Sequence, residues 1–301
     1  MTVEPVQSDA PFASMRERDV ELRGLRFQLC EWGPAGGPLV VMLHGWLDQG
    51  AAFDAVAGTL ARDGFWVVAP DHRGHGHSAW TPAGSTYHFL EYVADLDALV
   101  DLLQAEHPGC VPFTLVGHSM GGTIAALYSG LRASSVRSLV LLDGLGPPAV
   151  SDEDAADQAV SFLDQCRAVR PNRPMRDLAS AAERIHRTNP GLTAARAHAL
   201  ARRATRATPA GGLVWRWDPM HRTRAAVAFD ADRLAVVLGR VRAPAVLLLG
   251  AEGWYGQLPG LDTRLAALGG GVVRIDLPCG HDLHHAQAAA VVAQVRRAAS
   301  T

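Results

Sequence analysis

The sequence contains no lysine, only four cysteines and no long apolar run. All 28 basic residues are arginine, and 30 acidic residues bring the net charge to −2, which predicts neither a nucleic-acid partner nor attraction to an anionic membrane. The cysteines lack any metal-ligand spacing, so we expect reduced, structural thiols. No stretch reaches the roughly eighteen apolar residues that a membrane span requires. Arginine used alone, with abundant alanine and glycine, is typical of a GC-rich bacterial genome.

The first residues, Met1 to Phe12, are acidic and carry no apolar core. That argues against a secretory signal peptide and predicts a cytoplasmic protein. With 301 residues, 48% of them hydrophobic, the chain is long enough for one large domain or two modest ones.

Apolar runs and helical patterns alternate through the first half of the chain. A run that is continuously apolar is typical of a strand buried on both faces, and a 3.6-residue period is typical of a helix packed on a sheet. The pair of strands within 20–32, with Gly24 at the turn, reads as antiparallel. This alternation predicts an α/β protein with a mostly parallel, doubly wound sheet. The predicted buried strands are 39–43, 66–70, 111–116 and 136–142, and the predicted helices are 51–62 and 91–106.

The alternation stops after the sixth predicted strand. The stretch 147–240 is rich in Ala, Arg and Asp and is interrupted by prolines, which predicts a cap of amphipathic helices. The strand and helix pattern then resumes to the end of the chain. We therefore expect the core in two parts, 16–146 and 241–301, with the cap inserted between them.

One short segment, Gly117-His118-Ser119-Met120-Gly121, lies between a predicted strand and a predicted Ala-rich helix. A strand that turns directly into a helix leaves little room, and the flanking glycines let Ser119 adopt a strained backbone. Its hydroxyl would stand at a helix N-terminus, where free N–H groups favour negative charge. The segment resembles a nucleophile elbow, which predicts Ser119 as a catalytic nucleophile. A chance match is the alternative in a chain with 30 glycines.

A serine nucleophile needs a base, usually a histidine held in one tautomer by a carboxylate. Thirteen histidines compete for this role. Chemistry in open α/β sheets gathers at the carboxyl ends of the strands. His281 follows the last predicted strand and comes directly after Gly280, so we predict it as the base. His284 is the next candidate in the same loop.

Four motifs that follow one another along the sequence together resemble the α/β-hydrolase fold family, and the resemblance covers nearly the whole chain from about residue 20. Two further stretches, Trp-x-Trp-Asp-Pro and the ending Gly-His-x-x-His, are similar to its serine-hydrolase-like branch. The resemblance implies Ser119 as nucleophile and His281 as base. The four motifs are His44-Gly45, Asp71-x-Arg73-Gly74-x-Gly76-x-Ser78, Gly117-x-Ser119-x-Gly121 and Gly280-His281.

The resemblance also implies an oxyanion hole formed by the backbone N–H groups of Met120 and Trp46. Each such donor lowers a reaction barrier by roughly 3 kcal/mol. His44 is a candidate substrate contact, with buttressing of the loop as its alternative role. Asp71 and its neighbours resemble a structural turn of the family, so we expect them to brace a loop.

The carboxylic acid that would hold His281 departs from the family pattern. That pattern usually places an aspartate after the strand that ends near Leu249. Here that stretch reads Gly250-Ala-Glu252-Gly253. Glu252 lies one residue before the position at which the family pattern places the aspartate. The family's other known position for this acid lies after the preceding strand of the sheet, which here ends at Asp143. Asp143 is therefore the first candidate acid and Glu252 the alternative, with Asp262 and Asp282 more remote.

Serine at the elbow favours acyl chemistry over the alkyl-ester chemistry of a carboxylate nucleophile. We predict a serine hydrolase that cleaves a carboxylic ester, lactone or thioester of an apolar small molecule through an acyl-enzyme. The alternatives are a lyase or acyl transferase in a biosynthetic pathway, a C–C bond hydrolase, and a non-catalytic binding protein on the same fold. The candidate substrate-contacting aromatic residues, which also suit simple packing, are Trp46, Trp215, Trp217 and Trp254.

No organic cofactor and no metal is predicted. His72, His75 and His77 form a loop cluster that could bind a metal adventitiously. The expected partner is a small-molecule substrate, with no nucleic acid and no membrane. Neither the substrate nor the oligomeric state follows from the sequence.

Overall fold

The computed structural model describes residues 11–300 of the chain. Residues 1–10, which include most of the segment that argues against a signal peptide, lie outside this range. The strands are β1 (Arg16–Leu22), β2 (Leu25–Trp32), β3 (Leu39–Leu43), β4 (Trp66–Pro70), β5 (Phe113–His118), β6 (Val136–Leu142), β7 (Thr205–Ala207), β8 (Leu213–Trp215), β9 (Ala245–Gly250) and β10 (Val272–Leu277).

Helices separate most of these strands. Among the described residues, none of the helices combines the length and apolar character needed to cross a membrane. The helices are α1 (Asp54–Arg62), α2 (Phe89–Glu106), α3 (Met120–Leu131), α4 (Asp152–Cys166), α5 (Leu178–Thr188), α6 (Ala194–Ala204), α7 (Ala231–Leu238), α8 (Leu261–Ala266), α9 (Leu283–Ala286) and α10 (Ala288–Ala299).

Eight strands form one sheet in the order β1-β2-β4-β3-β5-β6-β9-β10. The first two pairs, β1 with β2 and β2 with β4, are antiparallel, and all the others are parallel. Between β6 and β9 the chain leaves the sheet and forms helices. This topology confirms the predicted α/β class, with a mostly parallel, doubly wound sheet and a helical cap inserted after the sixth strand.

The sheet is covered on both faces, and β3 shows why, because this central strand is apolar at every position. In β3, Leu39, Val41 and Leu43 pack in one core cluster with residues of α2, α3 and α7. The intervening Val40 and Met42 pack in a second cluster with residues of α1 and α10. Successive side chains of a strand point to opposite faces, so a continuous apolar run supplies both layers at once.

The segment between β6 and β9 contains an element that the sequence did not predict. In addition to helices, β7 and β8 form an antiparallel hairpin. Within the predicted cap range, α7 places Leu234 and Leu238 in the core cluster on the sheet. The cap boundaries at 147 and 240 stay predictions.

The carboxyl ends of the parallel strands meet at one edge of the sheet. Trp46 follows β3, Ser119 follows β5, Asp143 follows β6, Glu252 follows β9 and His281 follows β10. Because these five strands are adjacent in this order, the sheet brings together loops that lie far apart in sequence.

Candidate active site

Ser119 lies at the turn between β5 and α3 with a strained backbone. Its φ of 52° and ψ of −114° are unusual for a residue with a side chain, and such strain costs on the order of 1–3 kcal/mol. The Ser119 N–H donates to the carbonyl of Leu142 at 2.9 Å, and the Ser119 carbonyl accepts the N–H of Gly122 at 3.0 Å. Backbone hydrogen bonds on both sides therefore hold the strained residue at the start of α3.

The elbow is so crowded that its glycines have no room for a side chain. A Cβ atom on Gly121 would overlap the carbonyl group of Leu43, the last residue of β3, and would lie 2.7 Å from the carbonyl oxygen of His44. A Cβ atom on Gly144 would lie 2.7 Å from the Cα atom of Ser119. Backbone atoms cannot move aside as a flexible side chain can. The loops after β3 and β6 thus press directly against the elbow.

Gly121→Ala is expected to lower the free energy of unfolding by about 3 kcal/mol, because the new methyl group overlaps main-chain atoms of β3. Thermal unfolding followed by circular dichroism measures this effect. Gly239→Ala is the matched control: its Cβ atom would meet nothing closer than 3.6 Å, so we expect a change below about 1 kcal/mol. A Gly121 variant as stable as the wild type would contradict the close packing of β3 on the elbow.

The imidazole of His281 pairs with the carboxylate of Asp143. The Nδ1 atom of His281 lies 2.6 Å from Oδ2 of Asp143, whose side chain is fully buried, whereas His281 is one-quarter exposed. The other carboxylate oxygen accepts the Gly250 N–H at 3.0 Å. Because an ionised carboxylate can only accept, the proton of the imidazole lies on Nδ1. This tautomer leaves Nε2 as a proton acceptor, as a general base requires.

The two candidate acids occupy different environments. Glu252 follows β9 as expected, but its side chain is exposed, and its N–H donates to the carbonyl of Cys279. Asp143 has a left-handed backbone, with φ of 48°, and lies within hydrogen-bond distance of His281. Of the two carboxylates, the structure brings only Asp143 to the histidine, within the part of the chain that it describes.

The loop after β3 lies against the nucleophile. A Cβ atom on Gly45 would be 3.3 Å from the Cβ atom of Ser119, so the main chain leading to Trp46 passes beside the serine. Met120 begins α3, and the N–H groups of a first helical turn have no carbonyl partner within the helix. Both predicted oxyanion donors, the N–H groups of Trp46 and Met120, therefore belong to segments that adjoin Ser119.

Both ring nitrogens of His44 bind neighbouring backbone groups, which supports the alternative role as a buttress, and substrate contact by His44 stays a prediction. The side chain is completely buried. Its Nε2 atom accepts the N–H of His72 at 2.9 Å, so its proton lies on Nδ1, which donates to the Gly45 carbonyl at 2.8 Å. Burial also lowers the pKa of His44 well below its ordinary value, and the ring stays neutral. His44 therefore buttresses the turn that precedes Trp46.

Asp71 and its neighbours brace the loop after β4. The Asp71 carboxylate accepts the N–H groups of Gly50 and His77 at 2.7 and 2.8 Å. The hydroxyl of Ser78 donates to the Asp71 carbonyl, and the Arg73 guanidinium binds the carboxylate of Asp95. These contacts fit the expected structural turn.

The four candidate tryptophans separate into two groups. Trp46 and Trp254 are about half exposed, and the Trp254 ring lies 5.7 Å from the His281 ring, centre to centre. Trp215 instead packs in a small apolar cluster of the cap segment, which includes Met175. Trp217 is buried, with 8% of its surface exposed. The structure therefore places the Trp254 ring near His281 and the main chain that leads to Trp46 beside Ser119, whereas substrate contact by Trp215 and Trp217 stays a prediction.

His118 is a site residue that sequence reasoning missed. The residue lies directly before Ser119, and its Nε2–H donates to the backbone carbonyl of His281 at 3.0 Å. Burial lowers the pKa of His118 well below its ordinary value, so the ring is neutral and carries its proton on Nε2. Strand β5, which ends directly before Ser119, is thus hydrogen-bonded to the loop that carries His281. The one signal in the sequence for this role of His118 is its position inside the elbow motif.

Known proteins resemble this chain in sequence. The family model described as serine aminopeptidase, S33, matches residues 37–252. A serine hydrolase-like protein from Danio rerio is 34% identical over 232 residues, which cover 74% of this chain and 68% of that protein. A monoacylglycerol lipase from Mycolicibacterium smegmatis is 35% identical over 136 residues, which cover 44% of this chain and 45% of that protein.

A solved structure resembles the whole described fold. The thioesterase domain from the curacin biosynthetic pathway superposes with a TM-score of 0.85 at 30% sequence identity. The alignment covers 94% of this chain and 99% of the thioesterase domain. The similarity therefore includes the sheet, the helices on its two faces and the cap segment.

Proposed function

The chain belongs to the α/β-hydrolase family that includes the serine hydrolase-like proteins, and on this basis we propose that it cleaves carboxylic esters or thioesters of apolar acyl groups through a serine acyl-enzyme. The observation that carries the proposal is the 2.6 Å contact between His281 and Asp143 beside the strained elbow of Ser119. Acyl-enzyme chemistry requires a nucleophile, a base in a defined tautomer and a carboxylate, and the paired His281 and Asp143 support the last two of these roles.

In the proposed reaction, the Ser119 hydroxyl oxygen attacks the substrate carbonyl carbon while Nε2 of His281 accepts the hydroxyl proton. The negative charge moves to the carbonyl oxygen, where the N–H groups of Trp46 and Met120 would stabilise it. The bond to the leaving alcohol or thiol then breaks, and His281 returns the proton to that group. Water next attacks the acyl-enzyme, again with His281 as base, and the carboxylic acid is released.

Asp143 supports both halves of this reaction. The fully buried carboxylate keeps the proton of neutral His281 on Nδ1 and would stabilise the imidazolium that forms in each proton transfer. The Gly250 N–H and the backbone of the β6 loop hold the carboxylate in place.

The exposed rings at the site favour an apolar acyl group. Trp46 and Trp254 are both about half exposed, on loops that adjoin Ser119 and His281 respectively. Burial of a methylene group against such surfaces contributes about 0.8 kcal/mol. The names of two relatives, a thioesterase domain and a monoacylglycerol lipase, agree with acyl substrates of this class.

Hydrolysis of matched substrates tests the proposal. We expect turnover of p-nitrophenyl butyrate, p-nitrophenyl octanoate and an octanoyl thioester of N-acetylcysteamine, with kcat/KM rising up to about fourfold for each added methylene. The control is the same protein inactivated with a fluorophosphonate. Leucine p-nitroanilide tests peptidase activity, which the description of the family model raises.

Two results would contradict the proposal. Cleavage of the anilide without cleavage of either acyl substrate would assign the site to amide hydrolysis. Saturable binding of the octanoyl thioester, with neither turnover nor labelling by the fluorophosphonate, would instead support the non-catalytic binding protein.

A further inference from the structure

A cluster of metal-binding side chains lies beside the site and takes no part in the proposed hydrolysis. Asp48 belongs to the loop after β3, and His284 and His285 are consecutive residues of α9. One ligand atom from each of these three side chains lies within 4.8 Å of the others. The cluster therefore joins the loop of Trp46 to α9, the helix that follows the loop of His281.

His284 is the centre of this cluster and has an unusual environment. Its side chain is fully buried, yet neither ring nitrogen has a hydrogen-bond partner in the described part of the chain. The rings of Phe53 and His285 lie 5.0 and 4.1 Å away, centre to centre, and restrict its orientation. A buried imidazole without hydrogen bonds is costly, and a cation that binds its nitrogen lone pair would remove part of that cost.

The distances suit one small cation. Oδ2 of Asp48 lies 3.7 Å from Nε2 of His284. A tetrahedral zinc ion, with bonds of about 2.0–2.1 Å, holds its ligand atoms roughly 3.4 Å apart, so a small side-chain shift completes this edge. The Asp48 side chain is 29% exposed, which gives an ion access to the cluster.

We propose that Asp48, His284 and His285 bind one divalent transition-metal cation of the zinc type. Two imidazoles and one carboxylate suit such ions, and three protein ligands leave a coordination position for water. The bound cation would link the loop after β3 to α9.

The neighbouring group His118, Asp282 and His284 is the competing assignment for the same histidine. In that group Nε2 of His118 already donates to the His281 carbonyl at 3.0 Å. Coordination through Nε2 would break that hydrogen bond. The Asp48 side of His284 is therefore the preferred site.

Titration of the chelator-treated full chain with zinc chloride in a calorimeter tests the site. We expect one equivalent of zinc to bind and the melting temperature to rise with zinc concentration. Asp48→Asn and His285→Gln are each expected to weaken zinc binding at least about tenfold, since loss of even an indirect ligand contact has an effect of that size. His284→Gln should do the same, and the other two variants decide the matter if this buried change prevents folding.

Three control variants should bind zinc like the wild type. Asp282→Asn makes the same charge change in the competing group, and His198→Gln removes an exposed histidine of α6. Ser119→Ala should also retain the zinc site, so a failure of the proposed hydrolase function leaves this result independent. The inference is overturned if the wild type shows no saturable binding, if both Asp48→Asn and His285→Gln bind zinc normally, or if Asp282→Asn is the variant that loses it.

Discussion

Ser119→Ala is expected to lower kcat for p-nitrophenyl butyrate by about 10⁴- to 10⁶-fold, because it removes the oxygen that would form the acyl-enzyme. Labelling by a fluorophosphonate should disappear at the same time, since that reagent also needs an activated serine. Initial rates and the mass of the labelled protein measure the two effects. The backbone hydrogen bonds of the elbow do not involve the serine hydroxyl, so the fold should persist.

Ser129→Ala provides the matched control on the same helix. The Ser129 side chain is buried and donates to the carbonyl of Ala125, one turn earlier in α3. The chemical change is identical, but the residue lies away from the sheet edge, so activity should stay within about twofold of the wild type. The nucleophile assignment fails if Ser119→Ala keeps the wild-type rate and still accepts the label.

Asp143→Asn is expected to lower kcat by about 10⁴-fold while leaving KM nearly unchanged. The amide NH2 group of asparagine would donate to Nδ1 of His281 and move the imidazole proton to Nε2. The histidine then can no longer accept the serine proton. Steady-state kinetics with p-nitrophenyl butyrate measures the effect, and circular dichroism shows whether the buried asparagine is tolerated.

Glu252→Gln makes the same chemical change at the alternative acid. Because Glu252 is exposed on the loop after β9, we expect its variant to keep kcat within about twofold of the wild type. The reverse pattern, with a large loss for Glu252→Gln and none for Asp143→Asn, would move the role of the acid to Glu252.

The sheet was predictable because its signal is local. Continuous apolar runs such as 39–43 have to be buried on both faces, and helices with a 3.6-residue period have to cover them. The β7–β8 hairpin was missed because its strands have three residues each, too few for a period to be recognised. The pairing of these strands depends on the cap segment that surrounds them.

The positions of Ser119 and His281 could also be predicted, because strand ends and flanking glycines mark them in the sequence. The roles of the tryptophans could not be predicted from the sequence. Trp46 and Trp215 are equally apolar as residues, but one is half exposed beside the elbow and the other packs in the cap. Exposure is a property of the packed chain, and no short-range pattern encodes it.

By itself, the sequence determined the class of fold, the elbow at Ser119 and the loop of its candidate base. Only the tertiary structure decided which carboxylate meets that base, since Asp143 and Glu252 both follow neighbouring strands. The outcome depends on loop paths of a few ångströms: Asp143 turns inward with a left-handed backbone, whereas the side chain of Glu252 remains in solvent. The same packing brought Asp48 to His284 and His285, which follow it by more than two hundred residues in the sequence, because the ends of β3 and β10 share one edge of the sheet.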